Sequence, residues 1–268
     1  MNLFHQRYRL CATILCLLLS ACISFSDQAT DSKSELSEGN EVLKPQDDLT
    51  KFSTQNTTST PQGWSFYRIA PFKKNTVYRL ENYQGRTVLS ANAKTSASGL
   101  AVKLKPKPSQ HLWLKWEWKT SNLIQAANPA DKQADDSPLR ILVAFDGDKS
   151  KLGFKDNLTF ELAHLMSGQE LPYATLMYIW SNHHPVDTIL NNPHTGRIKM
   201  IVVDSGPNKL NQWQLHERDL SADFMAAYGE KPGNVVGVAL LTDTDNTKSE
   251  ARSYYGDIEL ILKKYQDK

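Results

Sequence analysis

From residue 63 onward, apolar positions come in short runs, many alternating with polar ones, and Gly, Asn, Asp or Pro separate them. The runs predict eleven strands: Ser65 to Pro71, Thr76 to Glu81, Thr87 to Ala91, Leu100 to Lys105, Leu112 to Lys119, Arg140 to Asp146, Thr175 to Trp180, Ile198 to Asp204, Trp213 to Glu217, Val235 to Asp243 and Tyr254 to Leu262. Helical spacing occurs in two places. Leu158, Leu162, Leu165 and Met166 form a stripe within Asn157 to Ser167, and Leu220 to Tyr228 runs from a candidate cap at Asp219 to Gly229. So many strands against two helices predict a mainly β fold, a jelly-roll-like antiparallel sandwich. The rival is a parallel α/β sheet, because ILVAFDGD, MIVVDSG and VALLTDTD are apolar strands ending in acidic residues. Parallel connections usually need crossover helices, and too few are present.

The first residues follow a different pattern. Arg7 and Arg9 precede an apolar run from Leu10 to Leu19, shorter than the ~20 residues that span a bilayer as a helix. The segment reads as an export signal, and Leu19-Ser20-Ala21-Cys22 resembles the lipobox of bacterial lipoproteins. That resemblance implies cleavage before Cys22 and acylation of its sulfur, with several chains giving stable anchoring. Ile23 in place of Asp implies sorting to the outer membrane, facing the periplasm. From Ser24 to Gln62 the chain is polar, as in TKFSTQNTTSTPQ, and reads as a flexible tether. The expected organisation is therefore signal 1–21, lipidated Cys and tether 22–62, and sandwich 63–268.

Charge follows the same division. The net +2 comes from 31 basic and 29 acidic residues, and Arg7 and Arg9 supply the whole excess. A balanced remainder gives no electrostatic reason to expect nucleic acid as a partner. All three cysteines fall in the first 22 residues, which excludes a disulfide scaffold and thiol catalysis downstream.

The most informative stretch is Trp213 to Lys263. A Trp-led strand runs into Arg-Asp-Leu and Asp-Phe, a Gly turn leads to a buried strand, and the last strand reads YYGDIEL. This order is similar to the end of galactose-binding-like jelly rolls, including carbohydrate-binding modules. More narrowly, TDTDNT with YYGDI, together with LWLKWEWK and the segment Leu171 to Trp180, resembles the bacterial domain of unknown function 3047 family. The wider resemblance implies glycan binding; the narrower one implies no function.

Asp243, Asp245, Asn246 and Asp257 stand out, with Asp146 and Asp148 as a second acidic pair. Alternating Asp-x-Asp-Asn after a strand can aim several oxygens into one loop, and Ca²⁺ takes about six to eight of them. Asp257 would join if the last strand paired beside Val235 to Asp243. Turn chemistry explains the same residues without a ligand. Asp243 or Asp245 with Asp257 would also be candidates for the acid and base of glycoside hydrolysis. For stacking on sugars, alternation along Leu112 to Lys119 sets Trp113 among charges, and Tyr255 shares a face with Asp257 in the last strand. Trp116 and Trp118 are expected in the core, and Trp64, Trp180 and Trp213 as packing residues. His183, His184 and His194 lack a zinc-binding pattern. The expected function is a non-catalytic module for a glycan or another envelope ligand. Its alternatives are a polysaccharide-active enzyme and an interaction component of an envelope assembly.

Overall fold

The computed structural model describes residues 44–154, 156–158, 161 and 171–263. Its strands are β1 (Ser65–Arg68), β2 (Val77–Tyr83), β3 (Arg86–Lys94), β4 (Ala97–Lys107), β5 (Leu112–Thr120), β6 (Ser137–Phe145), β7 (Ala174–Ser181), β8 (Ile189–Asn191), β9 (Ile198–Ser205), β10 (Gln214–Asp219), β11 (Val235–Asp243) and β12 (Glu250–Leu262). They form a seven-stranded sheet, β1-β4-β11-β6-β7-β9-β8, and a five-stranded sheet, β10-β5-β12-β3-β2. Among these strands only the β7–β9 pairing is parallel, and an isolated parallel bridge joins Gln46 to Leu104. The architecture is the jelly-roll-like sandwich that the pattern predicts, and all eleven expected strands are present. Only the three-residue β8, too short to show a period, is additional.

The core lies between the sheets. Leu89, Leu114, Trp116 and Trp118 of the five-stranded sheet pack toward Ile141, Val143, Tyr178 and Leu240 of the other. Each large aromatic ring buries about 150–250 Å², worth at most roughly 4–6 kcal/mol. The alternation expected of β5 holds: Leu112, Leu114, Trp116 and Trp118 are buried, while Trp113, Lys115 and Glu117 are half-buried on the other face. Helix α1 (Leu220–Tyr228) begins with the Asp219 carboxylate accepting the Ser221 and Ala222 N–H groups. It ends at Gly229, whose φ of 70° is the left-handed cap that glycine accommodates. The expected helix within Asn157 to Ser167 falls largely outside the described residues, as do the signal, Cys22 and residues 22–43.

Three expectations change. The tether does not reach Gln62, because Phe52 is fully buried against Trp64, with ring centroids 5.2 Å apart. Residues 46–53 form a strap over both sheets. Gln46 exchanges backbone hydrogen bonds with Lys103 and Lys105 of β4, and the Ser53 N–H donates to Asp257 on β12 at 2.9 Å. Two anchors, Leu49 and Phe52, suffice to order a segment whose average composition is polar. Next, β12 does not pair with β11. Strand β11 lies between β4 and β6, and the chain crosses to the other sheet before β12 pairs with β3 and β5.

Finally, Tyr255 faces inward. Its cross-strand partner is Trp118, whereas the next pair is Ile258 with Trp116, so β12 holds one extra residue there. This bulge reverses which face the following residues take. Alternation counted back from Ile258 and Leu260 therefore misassigns Tyr255.

Candidate functional site

The acidic residues gather at the loop end of the sandwich, in a different combination from the expected one. Asp136, Asp243 and Asp245 each place a carboxylate oxygen within 4.8 Å of the others. Asp257 is absent from this group. Ser249 lies beside Thr244, and Asp257 is eight residues further along β12, roughly 20–25 Å away. Asp257 instead accepts hydrogen bonds from Ser53. A hydrolytic pair needs carboxyls only about 5–9.5 Å apart, so neither Asp243 nor Asp245 can partner Asp257.

Each member of the group has structural partners. Asp243 is buried, and its Oδ1 accepts from the Ser137 N–H and from Arg140 Nε, both at 3.0 Å. Arg140 also donates to Asp135 at 2.9 Å. Burial pushes the Asp243 carboxyl up to about 7; the pull of Arg140 opposes this, and Asp135 and Asp136 add to it. Asp136 accepts from the Asn246 and Thr247 N–H groups at 3.2 and 2.7 Å, so Asn246 ties the TDTDNT turn to the loop before β6. Asp245 Oδ2 meets Lys73 at 2.6 Å, but its Oδ1 is enclosed with no hydrogen-bond donor among the described residues. Three carboxylates, one of them with an orphaned oxygen, offer the hard donors that a cation such as Ca²⁺ takes.

The other acidic pair is turn chemistry at the opposite end of β6 and β11. Asp146 accepts from the Asn234 side chain at 3.0 Å, and Asp148 caps a 3-10 turn at Lys149–Lys151. His183 and His184 stack on each other, and His194 approaches Asp135 at 3.9 Å.

Aromatic groups mark a second place, the outward face of the five-stranded sheet. Trp113 is half-buried there, with the Lys263 ammonium 3.8 Å from its ring centroid. Tyr255, the other expected platform, is in the core, where its hydroxyl donates to the Leu241 carbonyl at 2.8 Å. The aromatic side chains that stand on this face beside Trp113 are Trp213, Tyr83 and Tyr254. Trp213 precedes β10 level with Lys119, six residues along β5 from Trp113, or roughly 20 Å. On a flat sheet β2 and β10 would be roughly 19 Å apart, four strand spacings. Tyr83 and Trp213 are nevertheless 5.9 Å apart, edge to face, so the β2–β3 hairpin bends across this face. Arg86 of that hairpin lies 4.3 Å above Trp213 and pairs with Glu117. Gly256 of YYGDI makes room, since a Cβ there would meet Glu117 Cγ at 2.4 Å.

Sequence reasoning missed a further cluster. Asp204, at the end of β9, is fully enclosed and accepts from Trp118 Nε1 at 2.8 Å, His216 Nε2 at 2.7 Å and Lys209 at 3.0 Å. Burial pushes its carboxyl up, but these donors outweigh burial and hold it below the usual carboxylate value. The cluster joins the two sheets through buried side chains. No local motif announces it, because its members come from three separate strands and a loop.

Among curated proteins none matches the chain. Solved structures align with it loosely. An exo-β-agarase aligns at 13% identity over 82% of this chain and 25% of its own, with a TM-score of 0.35, so the chain spans about a quarter of that enzyme. A family 11 carbohydrate-binding module from Clostridium thermocellum, in complex with a β-1,3-1,4-mixed-linked tetrasaccharide, aligns at 11% identity, 77% and 93% coverage and a TM-score of 0.36. The same family's module from the cellulase Lic26A-Cel5E of that organism gives 8% identity, 81% and 95% coverage and a TM-score of 0.38. Likeness this slight carries no argument about ligands. Family membership rests on sequence: residues 62–259 match the model described as "Protein of unknown function (DUF3047)", and the chain belongs to that family.

Proposed function

We propose that this protein is a lipid-anchored module of the outer membrane, facing the periplasm, that binds a glycan on the outward face of its five-stranded sheet. One observation carries the reading: Trp113 and Trp213 stand half-buried at opposite ends of the β5 face, with Lys115, Glu117 and Lys119 between them. Flat apolar rings beside charged donors and acceptors are what sugar rings need, with their apolar C–H faces and rims of hydroxyls. Ca²⁺ belongs to the same proposal, held by Asp136, Asp243 and Asp245 at the loop end as a structural ion. Anchoring rests on Cys22 and the lipobox resemblance.

Binding of a glycan panel by the wild-type protein tests the central part. Trp213→Ala and Trp113→Ala are each expected to weaken binding about tenfold while leaving the melting temperature near the parent value. Undiminished binding by both variants would place the glycan elsewhere. Cys22→Ala is expected to abolish acylation and release the protein from membranes; membrane retention of this variant would refute the lipobox reading.

A further inference from the structure

Among the described residues, ion pairing leaves one enclosed cation on the outward face without a partner. Arg86 has Glu117 as its partner, and Arg252 has Glu81 at 3.7 Å. Lys119 is only 6% exposed, yet among the described residues it makes no ion pair. Its ammonium meets the Tyr83 hydroxyl and lies 4.2 and 5.3 Å from the ring centroids of Tyr83 and Tyr254. An ammonium carries three donors, and one hydroxyl with two π faces replaces its lost hydration only in part. The surroundings add to the excess. Arg252 lies 5.4 Å from the Tyr254 centroid and Arg86 4.3 Å from that of Trp213, so three cations share this corner with two carboxylates. One positive charge is left over.

Resting on the glycan reading, we propose that Lys119, flanked by Arg86 and Arg252, receives the carboxylate of an acidic sugar. The ligand class is a uronic-acid-containing oligosaccharide. Its ring would lie on Trp213 and Tyr83, and its single negative charge matches the single excess positive one. A phosphate monoester, with a charge of about −1.5 to −2 at pH 7, would exceed it. Arg86 is already engaged by Glu117, so Lys119 is the donor with capacity to spare.

The test is calorimetric titration of the detergent-solubilised full-length protein with oligomers of galacturonate, glucuronate and mannuronate, each beside its methyl-esterified form. The acid form of at least one oligomer is expected to bind about tenfold or more tightly than its ester, the scale of one charge-assisted hydrogen bond. Added salt should narrow that gap. Lys119→Met should abolish the preference, and Lys119→Arg should retain it. Equal binding of acid and ester by the wild-type protein would overturn the inference while sparing the glycan reading, and needs no variant to interpret. A preference that survives Lys119→Met would also overturn it. Binding of no oligomer in either form would overturn it as well, and the glycan panel then decides the wider reading.

Discussion

Asp204 shows how one buried side chain can fasten two sheets. Its three donors come from β5, β10 and the loop after β9, so its ionised form is stabilised only when both sheets are in place. The folded carboxyl sits below its ordinary value of 3.8, and the sign of the linkage follows. Its contribution to stability is fully present above about pH 4 and is lost as pH falls through the folded value. Asp204→Asn is expected to cost about 1–3 kcal/mol at neutral pH and to flatten the acid limb of the stability curve. Chemical denaturation across pH 2–7 checks both; an unchanged acid limb would show that the carboxylate carries no such coupling. This residue was illegible in the sequence because its partners are distant along the chain. Trp116 and Trp118, by contrast, could be read from simple alternation.

At the scale of elements, the strap and the β12 bulge decide what faces where. Phe52 anchors the strap in the core beside Trp64, and the Lys51–Glu259 pair at 2.6 Å adds a surface contact. Phe52→Ala is expected to cost about 3–5 kcal/mol, the usual loss for removing a buried Phe. A change under about 1 kcal/mol in denaturant unfolding would mean that the strap is dispensable. The strands were legible because period-two patterning survives in all but the shortest. Register within β12 was not, because one inserted residue puts Tyr255 and Asp257 on opposite faces without disturbing the local composition. The strap was hidden for a related reason. Compositional averaging over residues 24–62 dilutes two buried side chains among polar neighbours.

For the molecule as a whole, the two candidate places sit on different parts of the sandwich and have different tasks. The loop-end acidic group lies where the segments before β6, after β11 and around Lys73 meet, and a Ca²⁺ ion there would hold those loops together. A ligand that binds only the folded state stabilises it by mass action, about 2.7 kcal/mol at a hundredfold excess over Kd. Chelation is therefore expected to lower the melting temperature and Ca²⁺ to restore it. Asp245→Asn should abolish that response, whereas Asp257→Asn should leave it intact. An unchanged melting temperature across chelator concentrations would remove the ion from the account. The acidic motif itself was legible, but its third carboxylate was not. Asp136 lies 107 positions before Asp243 in the chain and reaches it only through the β6–β11 pairing.

The glycan is proposed to bind on the outward face of the five-stranded sheet. The six tryptophans give a built-in reporter, because each indole N–H yields its own nuclear magnetic resonance signal. Titration with a bound oligosaccharide is predicted to shift the signals of Trp113 and Trp213 and to leave those of the buried Trp116, Trp118 and Trp180 in place. Saturable binding in which the Trp113 and Trp213 signals do not move would contradict it.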